Sequence, residues 1–346
     1  MKFFHTADLH LGAKNKLLSS EDQELLKSER LQKLKDFFDK ANSEKVDFVL
    51  ICGDLFHSKA PQPKLVKSFF EMVKNCNSYV VYIKGNHDEK FEINSSPENF
   101  IILDNSRPCV SIGDADIWSV MDKNIIKNNM DKSRKNILML HGDVENASDN
   151  DFVDIKEFFD LPFDYVAMGH IHYFKAFSLY QKYFVYSGSL FSNGFDECNE
   201  KGYVEVNIED KTNFDFCPLE GRYYRICEVD ITRLNSNAQI IDKIKNEFNR
   251  QNIRNIDVVR VVLTGYSDEN DDKNLTLIKN NFYDQFYFEI VDKTKFNIDL
   301  ESLKKETLSF KAEFIRLVEE SSLSENDKNT ICRLGIEALK GEDLSI

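Results

Sequence analysis

The strongest constraint on this chain is a repeated punctuation. Five short apolar runs each break off into a turn bearing histidine, aspartate or asparagine. Phe3-Phe4 leads to Asp8-Leu9-His10. Val46 to Cys52 leads to Gly53-Asp54-Leu55-Phe56-His57, and Tyr79 to Ile83 leads to Lys84-Gly85-Asn86-His87-Asp88. Ile137 to Leu140 leads to His141, and Tyr165 to Met168 leads to Gly169-His170-Ile171-His172. Near-continuous apolar runs read as strands of a sheet covered on both faces. In such α/β sheets, ligands bind beyond the carboxyl ends of the strands. The seven histidines are His5, His10, His57, His87, His141, His170 and His172, all at or near these ends and none in the last half of the chain. Histidines scattered for solubility would not segregate this way, so a metal centre is expected there. His5, ahead of the ligand turn, reads as structural.

The residue types also set the chemistry. Imidazoles, carboxylates and an amide oxygen suit two borderline or hard divalent ions rather than a thiolate-bound structural zinc. One carboxylate must bridge, and Asp54 is placed to do so by its position in the middle of the strand order. Two ions about 3.5–4 Å apart clamp both the attacking and the leaving oxygen of an in-line phosphoryl displacement. They also lower the pKa of a shared water enough to supply hydroxide near neutral pH.

Between the strands the pattern is helical. Ser19-Ser20-Glu21-Asp22 is a capped helix start, followed by Leu34, Phe37, Phe38 and Ala41 at helical spacing. Pro61 to Pro63 open a second helix through Leu65, Phe69, Phe70 and Val73. Short strands are expected at Val110 to Ile112, Ala115 to Val120, Val185 to Leu190 and Tyr203 to Val206. The reading divides the chain into residues 1–220, 221–297 and 298–346. The middle part runs strand (Arg225 to Ile231), helix (Ile240, Ile241, Ile244, Phe248), strand (Val258 to Leu263), helix (Leu275 to Phe282), strand (Phe286 to Val291). That order suits a small α/β layer of its own. From Asp299 the pattern is helical: Phe310, Phe314 and Leu317 share a face, Ser324-x-x-Asp327 opens a last helix, and Gly341 is placed to end it. These helices either dock a partner or pack back on their own chain.

At 346 residues and 42% hydrophobic composition, there is material for two domains. The net charge of −14 argues against a protein held to nucleic acid mainly by a basic surface. It leaves a phosphate substrate open, because bound divalent ions make a site locally positive. The seven cysteines have no C-x-x-C spacing and the N-terminus is not a signal peptide, which reads as reduced thiols in a cytoplasmic protein. No run approaches the ~18 apolar residues of a membrane span.

Taken in order, Asp8-x-His10, Gly53-Asp54, Gly85-Asn86-His87-Asp88, His141 and Gly169-His170-x-His172 resemble the motifs of the calcineurin-like metallophosphoesterases. Within that superfamily the chain is most similar to the SbcD (Mre-type) DNA repair nucleases, and among them to the YhaO type. His5 to Gly12 and Gly53 to His57 resemble the nuclease forms of the first two motifs. Tyr186 to Leu190, Gly194-Phe195-Asp196-Glu197 and Lys201-Gly202-Tyr203 look like the closing strands. Phe310 to Glu319 and Leu334 to Leu339 resemble the YhaO-type helical tail. The likeness is close as far as Leu219 and loose beyond it.

The resemblance implies an α/β sandwich of two sheets flanked by helices, with a small α/β cap and a helical tail. It implies that Asp8, His10, Asp54 and His172 hold one metal, and Asp54, Asn86, His141 and His170 the other, with manganese favoured. His87 would assist at the leaving oxygen, His57 would lie near the scissile phosphate, and Asp88 would orient a neighbour. It further implies hydrolysis of DNA phosphodiesters as an exonuclease, a homodimer, and an SMC-like ATPase partner of the SbcC or YhaN type. Lys14, Lys16, Lys59 and Lys64 would be the phosphate contacts, with solvated surface lysines as the plainer reading. The acidic run Gly142-Asp143-Val144-Glu145 departs from a DNA-facing loop. Two alternatives stand beside the nuclease: an enzyme for nucleotides or other small phosphodiesters, and a non-catalytic scaffold subunit.

Overall fold

The parallel strands are buried on both faces, as their unbroken apolar runs require. The structure, a computed structural model, describes the chain except residues 90, 94, 149, 268–272, 297–302, 304–308 and 341–346. It divides into two compact units, Met1–Tyr224 and Arg225–Ile346.

In the first unit β1 (Lys2–Thr6), β2 (Phe48–Cys52), β3 (Tyr79–Ile83) and β4 (Phe100–Ile102) pair in parallel. The second sheet contains β5 (Cys109–Ile112), β6 (Ala115–Trp118), β7 (Lys135–His141), β8 (Tyr165–Gly169), β9 (Lys175–Leu179) and β10 (Lys182–Tyr186), in the order β5-β6-β7-β8-β10-β9. β11 (Gly202–Ile208) and β12 (Thr212–Pro218) return to the first sheet, whose order is β12-β11-β1-β2-β3-β4.

The sheets pack face to face. Phe3, Phe48, Leu50 and Val81 from the first share one core with Ile117, Ile137, Met139, Tyr165 and Val185 from the second. The outer face of the first sheet is covered by α1 (Ser20–Glu44) and α2 (Pro63–Lys74) through Leu34, Phe37, Phe38, Leu65 and Phe69. α1 starts where expected: the Ser19 hydroxyl accepts from Asp22 N at 3.1 Å. The outer face of the second sheet carries α3 (Lys123–Asn129) and a single 3-10 turn (Ile155–Phe158). The first unit is therefore an α/β sandwich of two sheets between helices.

Two short strands, β4 and β9, and the edge strand β12 are not expected from the sequence. The run Val185 to Leu190 is also displaced: β10 ends at Tyr186, and Ser187 onward leaves the sheet.

In the second unit β13 (Tyr224–Asp230), β14 (Val258–Thr264) and β16 (Tyr287–Asp292) form a sheet ordered β13-β14-β16, with α4 (Asn237–Arg250) and α5 (Leu275–Asn280) packed on it. The two-residue strands β15 (Tyr266–Ser267) and β17 (Lys295–Phe296) pair separately. α6 (Phe310–Glu319) and α7 (Glu325–Lys340) pack on each other through Ile315, Cys332 and Ile336. The expected helical start at Asp299 and the Gly341 stop lie outside the described residues. No described helix is long and apolar enough to cross a membrane.

Candidate metal centre

The site forms where the carboxyl ends of five strands meet along the seam between the sheets. β1 and β2 run on into turns that lie side by side, with Asp8 N on Gly53 O at 3.2 Å and His10 N on Asp54 O at 2.9 Å. Asp8, His10 and Asp54 adopt φ of 51°, 41° and 49°. A non-glycine residue held there costs on the order of 1–3 kcal/mol, and such strain clusters at functional sites. Gly53, at φ 84°, lies so close beneath His141 that a Cβ would overlap the imidazole.

From the first sheet come Asp8, His10, Asp54, Asn86 and His87; from the second come His141, His170 and His172. Asp54 Oδ2 lies 3.5 Å from His10 Nε2 and 3.6 Å from His141 Nε2, between the two groups. His10 Nε2 faces His172 Nε2 at 3.1 Å. His141 Nε2 faces the Asn86 side-chain oxygen at 3.2 Å. The Asp8 carboxylate accepts from His170 N at 3.0 and 3.1 Å, and the His170 ring stands edge-on to His141 with centroids 5.4 Å apart. His87 N donates to Asp54 Oδ1 at 2.9 Å, and its ring stacks on His57 at 5.2 Å. His57 Nδ1 lies 3.5 Å from His10 Nδ1. All nine residues singled out in the sequence thus converge on one centre.

Tautomers can be assigned from the acceptors behind two rings. His141 Nδ1 sits 2.9 Å from Cys52 O, which can only accept, so Nδ1 carries the hydrogen and Nε2 is a bare lone pair. His172 Nδ1 sits 2.7 Å from Glu197 Oε1, so Nδ1 carries a hydrogen; burial opposes protonation of this ring, but the Glu197 hydrogen bond and the Asp8 charge raise its pKa overall. His141 Nε2, Asn86 Oδ1 and Asp54 Oδ2 therefore meet as three acceptors with no donor among them. Burial, with the Asp54 charge adding to it, pushes the Asp8 carboxyl up to about 8. Burial and the neighbouring His172, His87 and His57 push the His10 imidazole down to about 2. Carboxylates that burial makes costly to ionise, beside His10 and His141 imidazoles that burial keeps from taking a proton, describe a centre that lacks positive charge, and divalent cations fit it. Ligand atoms of Asp8, His10 and His172, and of Asp8, Asp54 and His141, each lie within 4.8 Å of one another.

The remaining motif residues are supports. Asp88 is buried and accepts from Gly85 N at 2.9 Å, Phe56 N at 3.2 Å and Tyr82 OH at 2.7 Å, which fixes the turn carrying Asn86 and His87. His5 lies inside β1 and meets the Tyr165 hydroxyl at 3.0 Å in the inter-sheet core, away from the centre. Glu197 and Lys201 stand behind His172, a role that the sequence reading, which takes them only as part of a closing motif, misses. Nothing in the sequence sets these two apart, because the exposed Asp196 and Glu200 stand in the same charged stretch.

The calcineurin-like phosphoesterase model matches residues 1–174. The chain belongs to that family. Its members are metal-dependent hydrolases, which agrees with the acceptor-only geometry above. An uncharacterized metallophosphoesterase, YhaO, of Bacillus subtilis is 26% identical over 78% of this chain and 73% of its own length. The SbcD nuclease subunit of Staphylococcus epidermidis is 26% identical over 71% of this chain and 79% of its own. A solved dimetal phosphatase from Danio rerio is 9% identical, covers 62% of this chain and 98% of its own, and has a TM-score of 0.43.

Proposed function

We propose that the chain is a two-metal DNA phosphodiesterase of the SbcD type, acting as an exonuclease in repair. The observation that carries the reading is Asp54 Oδ2, which lies 3.5 Å from His10 Nε2 and 3.6 Å from His141 Nε2, so that one carboxylate oxygen stands between the two ligand groups. In this reading Asp8, His10, Asp54 and His172 hold one ion, and Asp54, Asn86, His141 and His170 hold the other. Two ions, manganese by preference, supply Lewis-acid charge to the phosphate and lower the pKa of water. The chain's own groups do the rest. Asp54 ties the two sites together and takes the His87 N–H, which fixes the His87 backbone. The His87 ring, stacked on His57, stands beside the ligands and hands a proton to the leaving oxygen. His57, exposed on the rim, contacts the phosphate.

The similarity to an SbcD nuclease supports DNA as substrate and an SMC-like ATPase of the SbcC or YhaN type as partner. The reading also takes in a homodimer, a cytoplasmic setting, residues 221–297 as a capping domain and 298–346 as the docking segment. A small-phosphodiester enzyme is the second reading, favoured by the net charge of −14. The test is a paired turnover assay with manganese, magnesium or chelator, beside His87→Ala. One arm uses end-labelled linear duplex and single-stranded DNA, the other a chromogenic small phosphodiester. Manganese-dependent DNA degradation that the variant lacks supports the nuclease. Turnover of the small diester with DNA left intact overturns it.

A further inference from the structure

Two of the imidazoles that β7 and β8 deliver, His141 and His172, are oriented through Nδ1 by different chemistry. Behind His141 stands the neutral carbonyl of Cys52, at the end of β2. Behind His172 stands a carboxylate: Glu197 Oε1 takes the ring Nδ1–H at 2.7 Å. Glu197 is itself held on four sides. Its Oε2 accepts from Lys201 Nζ and from Asn193 N, both at 3.1 Å, and its Oε1 also accepts from Asn193 Nδ2 at 3.4 Å. Lys201, 1% exposed, uses the same ammonium to bind His172 O at 2.7 Å. Its own carbonyl accepts from Leu219 N at 2.8 Å, and it precedes β11 directly. The loop from Asn193 to Lys201 thus grips both the ring and the backbone of His172 and anchors them to the first sheet.

We propose that Glu197 is a positioning residue that strengthens metal binding at one of the two sites, the one containing His172. This rests on the two-metal reading above. A carboxylate behind a histidine fixes its tautomer and makes the free nitrogen a stronger donor to a metal, and removing such a partner costs about 10–100-fold in affinity. The buried Lys201 ammonium balances the carboxylate, so the pair stays ionised in the interior. The Nδ1 of His141 is hydrogen-bonded to an uncharged carbonyl instead, with the Asp8 carboxylate farther off at 3.9 Å. Glu197 therefore adds to the strength of the His172 site and not to that of the His141 site.

The test uses the metal-stripped full chain titrated with manganese by calorimetry and with cobalt by visible absorption. Wild type is compared with Glu197→Gln, Glu197→Ala and the charge-neutral double variant Glu197→Gln/Lys201→Met, which spares the protein a buried unpaired lysine. The expected result is two binding events in wild type, with one weakened about 10–100-fold in Glu197→Ala and the other within a few fold of wild type. Glu197→Gln, which keeps an acceptor oxygen, and the double variant fall between. The cobalt spectrum changes only for the weakened site. In the metal-free protein, a downfield ring N–H proton resonance present in wild type disappears in Glu197→Ala. Equal loss at both sites, or no loss at either, overturns the assignment while leaving the two-metal reading intact. A wild-type chain that binds no metal overturns that reading itself.

Discussion

His141 Nε2 and the Asn86 side-chain oxygen lie 3.2 Å apart, and neither carries a hydrogen to share. Two acceptors held face to face repel unless a cation lies between them. The metal-free chain should therefore be measurably less stable than the loaded one. A ligand that binds only the folded state stabilises it by about 2.7 kcal/mol per site at a concentration of 100 times its dissociation constant. Urea unfolding with manganese and with chelator measures this, and Asn86→Ala should shrink the difference. Identical midpoints in the two conditions would argue that the acceptors meet for another reason.

Asp88 tests the support beneath the turn. Truncation to Ala strands Gly85 N, Phe56 N and the Tyr82 hydroxyl in the interior. Each buried donor left unpaired costs about 1–3 kcal/mol. Asp88→Ala should lose roughly 3 kcal/mol or more in denaturant unfolding, with Asp88→Asn milder. A loss under about 1 kcal/mol means the turn does not depend on this carboxylate.

Gly53→Ala meets two obstacles at once, a φ of 84° and the His141 ring. Alanine at a positive φ destabilises by more than about 1 kcal/mol before any overlap is counted. The displaced imidazole should also weaken metal binding at the His141 site, seen by calorimetry. Binding indistinguishable from wild type would mean that the ring can move aside.

The pH dependence of stability should include a contribution from His5. Complete burial drives its pKa down to about 3 from an ordinary 6.5. As pH falls through 6.5 the unfolded chain takes a proton that the folded chain refuses, so folding weakens. The loss reaches about 1.4 kcal/mol per pH unit until the folded pKa near 3 is met. Between pH 6.5 and pH 5 that is about 2 kcal/mol. Wild type minus His5→Gln, each unfolded in urea at pH 7 and pH 5, isolates the contribution. A difference that does not change with pH would show that His5 titrates alike in the folded and unfolded chain, and one that grows as pH falls would show it protonated in the folded chain.

The centre and the strands that carry it were legible because its chemistry sits where apolar runs stop. Asp8, Asp54, Asn86 and His141 each follow or end a buried strand, so composition and position carry the same message. The edge of the second sheet was not legible. β9 and β10 are joined by Tyr180-Gln181, both at positive φ (50° and 63°), a two-residue hairpin turn without the glycine or asparagine that marks one. β9 is largely exposed and includes a charged residue, so no apolar run announces it either. Glu197 stayed hidden for a different reason. Its partner His172 is 25 residues away, and only the fold brings the carboxylate behind the ring.

The left-handed backbone at Asp8, His10 and Asp54 carries a consequence for how such a chain could change over generations. Glycine would occupy those angles with less strain, so each of the three positions is one where heat resistance and metal chemistry pull in opposite directions. A population of variants selected for thermal tolerance alone should shed these side chains early and keep the sandwich intact. The result would be a sturdier relative with the same architecture and no reaction to perform.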